Sequence, residues 1–121
     1  MLKSLLKRKF KDKRLLSLLF RIIDYDVPYT LPSFGLPIGN LTSQYFANFY
    51  LTPLDIFIQH QPECGFYLRY MDDFVIFTQD KTFLHRLKAQ LIDFIQTHLK
   101  LKLKLSNTFL APSYQGLPFL G

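Results

Sequence analysis

Asp72 and Asp73 stand side by side in FYLRYMDDFVIF, residues 66–77, inside a run of aromatic and β-branched side chains. Such side chains suit paired strands. Two carboxylates buried among them without partners would be costly. A tight turn removes that cost, because Asp can bond its own backbone there. A turn that closes two apolar strands also displays its side chains at the rim of a sheet. Arg69 is the one basic residue close by in sequence, so the pair calls for further counter-charge. A hard divalent cation such as Mg²⁺ supplies it through oxygen ligands, and one or two carboxylates suffice when substrate phosphates complete the shell. Two such ions about 3.5–4 Å apart activate an attacking hydroxyl and stabilise a leaving oxygen in phosphoryl transfer. An Asp-Asp pair is also an ordinary turn. The strand context on both sides, and the aromatic Tyr70 before it, favour the metal.

The elements that must position this turn are written in the hydrophobic spacing. Leu2, Leu5, Leu6, Phe10, Leu15, Leu16, Leu19, Phe20 and Ile23 predict one or two amphipathic helices over residues 2–24. DYDVPYTLPSFGLPIGN then carries three prolines and two glycines, which forbid regular helix. Helical character returns from Leu41 to Tyr50, with Thr42 or Ser43 as a cap. Thr52-Pro53 marks a break, or a fresh helix with Pro at its first position. Asp80 caps a predicted helix over 81–99, whose Phe83, Leu84, Leu87, Leu91, Ile95 and Leu99 share a face. KLKLKL, residues 100–105, alternates with period two and predicts a half-buried strand. TFLAPSYQGLPFLG reads as short strands around a turn. This order gives an α+β fold, with helices on one face of an antiparallel sheet.

The chain of 121 residues is one domain, with 49% apolar and 20% charged residues. Its single cysteine, Cys64, excludes an internal disulfide and fits a reducing, cytoplasmic setting. No run approaches the roughly 20 apolar residues that span a membrane, so no membrane partner is expected. The first twenty residues are basic and then apolar, as in a signal peptide, but Arg21 interrupts the apolar block and no small-residue cleavage site follows. The net charge of +6 is concentrated: residues 1–21 hold eight basic groups and one acid, Asp12. That patch is either a solvated helix face or a contact for an anionic polymer, nucleic acid being the usual one. His60, His85 and His98 share no ligand spacing and read as surface residues. Tyr45, Phe46, Phe49 and Tyr50 read as core.

YMDD between apolar strands resembles the catalytic hairpin of reverse transcriptases. GLPIGNLTSQYFANFYLTPLD, residues 35–55, resembles the loop-plus-helix motif of the same family, and LKLKLSNT and GLPFLG resemble the strand and primer-grip segments that follow the hairpin. The IGN…SQ form is similar to the bacterial and phage enzymes of diversity-generating retroelements. The resemblance implies the palm of a right-hand polymerase over residues 1–121, and RNA-directed DNA synthesis from deoxynucleotides. Its partners would be an RNA template and a DNA or RNA primer, and its cofactor two Mg²⁺ ions. Asp72 and Asp73 would ligate the metals. Tyr70 and Met71 would line the floor near the primer terminus. Gly39 would allow close backbone approach to substrate. Ile38 stands where relatives usually place a glutamine that touches the incoming nucleotide. Ser43 and Gln44 would face the template–nucleotide pair. The family's third carboxylate is expected upstream of Met1, together with the fingers strands, and the thumb downstream, so activity of these residues alone is not expected. The alternative is a non-catalytic remnant that holds RNA through its basic N-terminal helix. A cyclase on a similar palm is disfavoured, because no glycine-rich acidic turn such as GGDEF is present.

Overall fold

In the computed structural model, residues 1–25, 41–117 and 119 are described. The first amphipathic pattern forms two helices, α1 (Leu2–Lys9) and α2 (Lys13–Ile23). Phe10 leaves the helical region at φ −109° and ψ 138°. Asp12 restarts it: its carboxylate accepts from the backbone N–H of Arg14 at 2.7 Å and of Leu15 at 3.0 Å, a side-chain N-cap. Asp12 is therefore a capping residue. Lys7, Arg8 and Lys9 occupy the last turn of α1, where cations complement the C-terminal end of the helix dipole. Lys3 pairs with Asp24, which ends α2. The Lys3 and Lys7 ammonium groups lie 5.5 and 5.6 Å from the centre of the Phe20 ring, cation–π contacts that tie the two helices together.

The chain divides into two units, Met1–Tyr50 and Leu51–Gly121, and helix α3 (Leu41–Gln59) contributes residues to both. Thr42 and Ser43 lie inside this helix, so neither is its cap. Pro53 is also interior, and the expected break at Thr52-Pro53 does not occur. An interior proline costs about 3 kcal/mol, because it cannot donate to the carbonyl one turn back. Burial offsets that loss: Leu54 and Ile58 are 2% and 0% exposed, and each such side chain is worth about 1.5–3 kcal/mol.

In the second unit, strands β1 (Phe66–Tyr70) and β2 (Asp73–Phe77) form an antiparallel hairpin. Helix α4 (Lys81–Thr97) follows, with the Asp80 carboxylate accepting from the Phe83 N–H at 3.0 Å, as its sequence position predicts. Phe83, Leu87, Leu91 and Ile95 recur every fourth residue and are buried, giving α4 one apolar face. Phe57 of α3 stacks on Phe94 of α4, ring centres 4.4 Å apart. With Leu54, Ile58 and Leu99, the buried residues of α4 make up the apolar core of this unit. The fold is α+β.

The C-terminal expectations fail. Lys100 turns the chain at φ 54°, and residues 101–104 form no strand. Two short 3₁₀ turns, Leu105–Asn107 and Ser113–Gln115, follow. Period-two alternation becomes a strand only against a partner edge, and no described residue pairs with KLKLKL. Leu101 and Leu105 are accordingly exposed. This segment is held instead by Lys88, whose ammonium donates to the Thr108 carbonyl at 3.2 Å. No helix among the described residues is long and apolar enough to cross a membrane.

Candidate functional site

The register of the hairpin decides which side chains share a face. Phe66 pairs with Phe77, Tyr67 with Ile76, Leu68 with Val75, Arg69 with Phe74, and Tyr70 with Asp73. Directly opposed residues point to the same side of the sheet. Tyr67, Arg69, Phe74 and Ile76 therefore form one face, and all four are half-buried. Phe66, Leu68, Tyr70, Asp73, Val75 and Phe77 form the other; all but Val75 are exposed.

Only Met71 and Asp72 remain for the turn. Met71 has φ 55° while Asp72 stays out of the left-handed region. Positive φ at the first central residue alone is the signature of a type II′ turn, which matches the twist of the strands and ordinarily takes glycine there. Methionine holds that conformation at a cost of about 1–2 kcal/mol, so something must fix it.

Arg69 does. Its guanidinium grips Asp55 of α3 with both prongs, Nε to Oδ1 at 2.6 Å and Nη2 to Oδ2 at 2.6 Å. Its remaining nitrogen, Nη1, donates to the Met71 carbonyl at 2.8 Å. The Tyr67 hydroxyl donates to the same Asp55 Oδ1 at 2.7 Å. Burial by itself would raise the Asp55 carboxyl, but the hydrogen bonds from Arg69 and Tyr67 and the Arg69 charge bring it below the usual range. The Asp55 hydrogen bond, working against burial, holds Arg69 even more firmly protonated than usual. Burial first, and then donation to the Asp55 carboxylate, push the Tyr67 hydroxyl well above its ordinary value. The trio is thus a neutral cluster that joins α3, β1 and the turn.

The consequence for the aspartates is electrostatic. Arg69, the nearest cation in sequence, is ion-paired with Asp55 rather than with either aspartate of the tip. Asp72 and Asp73 are exposed, and neither has a hydrogen-bonding or ionic side-chain partner among the described residues. They are two free carboxylates at the rim of a braced hairpin. That donor set fits part of a Mg²⁺ shell, since this ion takes oxygen ligands and commonly draws the remainder from water and substrate phosphates. Among the described residues, no group of three His, Cys, Asp or Glu side chains gathers into a fuller cage.

The other expected site residues divide into three sets. Tyr70 and Met71 adjoin the aspartates, Tyr70 exposed opposite Asp73 and Met71 half-buried in the turn. Ser43 is half-buried and Gln44 exposed in the first turn of α3; they belong to the first unit, and the hairpin to the second. Ile38 and Gly39 lie outside the described residues. Of the aromatic quartet expected in the core, Phe46 is buried, whereas Tyr45 is 70% exposed. His60, His85 and His98 are exposed. Sequence reasoning missed Asp55 and its bond to Arg69. A partial signal was present: an arginine two residues from Tyr67 shares its strand face and needs a partner wherever that face is buried.

On the first unit, Lys13, Arg14, Ser17, Leu18 and Arg21 line a shallow groove of about 370 Å³ along α2. These three cations have no ionic partner among the described residues. No family model matches the chain, and no curated protein matches it.

Proposed function

We propose that this chain supplies the palm portion of an RNA-directed DNA polymerase, with Asp72 and Asp73 as ligands of catalytic Mg²⁺. One observation carries this reading. Two adjacent carboxylates at the tip of a hairpin have no partner among the described residues, their neighbouring arginine being paired with Asp55, and a divalent cation is a natural counter-charge for them. The resemblance of YMDD and of residues 35–55 to reverse transcriptases supplies the reaction: a primer 3′-hydroxyl attacks a deoxynucleoside triphosphate opposite an RNA template. Bound Mg²⁺ would lower the pKa of that hydroxyl and offset charge on the leaving pyrophosphate. This chain's own residues position and exclude. The turn presents Asp72 and Asp73 outward, and Tyr70 offers an exposed ring beside Asp73 against which a primer sugar or base can rest. The test is primer extension on an RNA template by the full reading frame that contains these residues, wild type against Asp72→Asn. Template-dependent extension lost in the variant supports the reading. Equal extension by both contradicts it.

A second reading is supported by the α2 groove. Lys13, Arg14 and Arg21 lie on one stripe of a helix, with Ser17 between them, and none is ion-paired among the described residues. Such a stripe suits phosphates of a nucleic-acid backbone, contacted without regard to sequence. It accommodates a chain that only holds RNA, and it is equally compatible with a polymerase that grips its template. Extension activity separates the two.

A further inference from the structure

The Met71–Asp72 peptide is the hinge on which the candidate metal site turns. Types I′ and II′ share positive φ at the first central residue and differ by a flip of the central peptide unit. In this hairpin that unit joins the Met71 carbonyl to the Asp72 N–H. Flipping it would carry Asp72 into the left-handed region and swing its carboxylate relative to that of Asp73. The Met71 carbonyl is held by Arg69 Nη1 at 2.8 Å, and a flip would break that bond. Arg69 in turn is aimed by Asp55, which engages its other two donor positions at 2.6 Å each. A planar guanidinium gripped on one edge has its third nitrogen fixed in direction, so the carboxylate on α3 sets where the turn carbonyl is caught.

We propose that Asp55 is a positioning residue for the metal site: through Arg69 it locks the Met71–Asp72 peptide and so fixes the direction of the Asp72 carboxylate. This rests on the reading of Asp72 and Asp73 as metal ligands. The bracing is two steps removed from the metal, like the outer partners of metal ligands generally, whose loss costs about 10–100-fold in affinity. Arg69→Lys keeps a positive charge beside Asp55 but cannot grip both oxygens and the Met71 carbonyl together. Asp55→Glu keeps the negative charge and displaces the grip by one methylene.

The experiment measures Mn²⁺ binding to the whole chain from the electron paramagnetic resonance signal of the free ion, alongside amide spectra of the metal-free protein. Wild type, Arg69→Lys, Asp55→Glu and Asp72→Asn are compared. The expected result is a loss of at least tenfold in Mn²⁺ affinity in Arg69→Lys and Asp55→Glu. The metal-free amides of Met71 and Asp72 should shift in both while those of α4 stay in place. Wild-type affinity in both variants, with Asp72→Asn weakened, would overturn the role of Asp55 and leave the metal reading intact. An Asp72→Asn variant that binds like wild type would overturn the metal reading itself, and the positioning role with it. Loss of the fold in both conservative variants would make Asp55 a stability residue and overturn the proposal equally.

Discussion

Asp72 in a two-residue turn and Asp73 at the start of β2 carry short side chains, whereas Lys13, Arg14 and Arg21 leave a helix on long ones. Both regions hold charge without ionic partners among the described residues. At the turn, direction is fixed by backbone: a type II′ conformation, a guanidinium on its carbonyl, and a carboxylate behind the guanidinium. On α2, only the helix is fixed, and each cation can sweep several ångströms about its stem. The difference suits the two regions to opposite ligands, a cation and an anion. A small, strictly octahedral ion needs oxygens at set positions, and a braced turn suits that proposed role. A phosphate chain of variable path needs charge density more than geometry, and α2 offers that.

The largest effect should come from removing the geometric site. Asp72→Asn keeps the turn, because the amide has the same shape, and removes a charge that the proposed metal site would use. Primer extension by the full reading frame should fall by at least about 100-fold, the scale seen when one preorganised electrostatic contact is lost. Circular dichroism should be unchanged, and retained activity would break the distinction at its first step.

The delocalised site should respond in a graded way. Replacing Lys13, Arg14 and Arg21 together with alanine removes three candidate phosphate contacts. The slope of log affinity against log salt for single-stranded RNA should become less negative by about 2. Each single substitution should give about a third of that change. A slope unaffected by the triple change would return these residues to a plain solvated helix face.

Smaller still is the contribution of the cluster behind the turn to global stability. Asp55→Asn weakens charge-assisted hydrogen bonds from Arg69 and Tyr67 in a partly solvated setting. The cost should be on the order of 1–2 kcal/mol in urea unfolding. The same cluster predicts a pH dependence at both ends. Asp55 is lowered from its ordinary 3.8 in the fold. Its contribution is therefore present above about pH 4 and lost as pH falls through the folded value. Tyr67 is raised from 10.0, so its contribution holds below about pH 10 and is lost as pH climbs above it. Tyr67→Phe should flatten the alkaline limb of a stability–pH curve and leave the acid limb in place.

How far these features were legible in the sequence differs between the same two regions. The hairpin follows from local pattern, since β-branched and aromatic residues on both sides of YMDD leave little choice. That pattern put both aspartates in the turn, whereas the register places Asp73 in β2 opposite Tyr70. The Asp80 cap and the four-residue repeat of α4 were equally plain. KLKLKL has as clear an alternation as FYLRY, yet only FYLRY became a strand, because β2 follows at once as a partner and nothing described pairs with residues 100–105. Pro53 was read as a break because local rules forbid it mid-helix; Leu54 and Ile58, buried just beyond, overrode the rule. Asp55 was hidden for the opposite reason. Its role depends on α3 lying against β1, a tertiary fact that no window of neighbouring residues contains. The free state of Lys13, Arg14 and Arg21 was likewise out of reach, because composition counts charges and cannot say which are paired, as Lys3 is with Asp24.

The central claim is that the hairpin tip binds a divalent cation through Asp72 and Asp73. Mn²⁺ titrated into the isotope-labelled chain tests it most directly, because the ion broadens the amide signals of whatever lies near it. The account predicts that signals from Tyr70 to Phe74 broaden first, at Mn²⁺ well below stoichiometric, and that excess Mg²⁺ restores them. Broadening that begins elsewhere, or a hairpin that stays sharp at millimolar Mn²⁺, would contradict it.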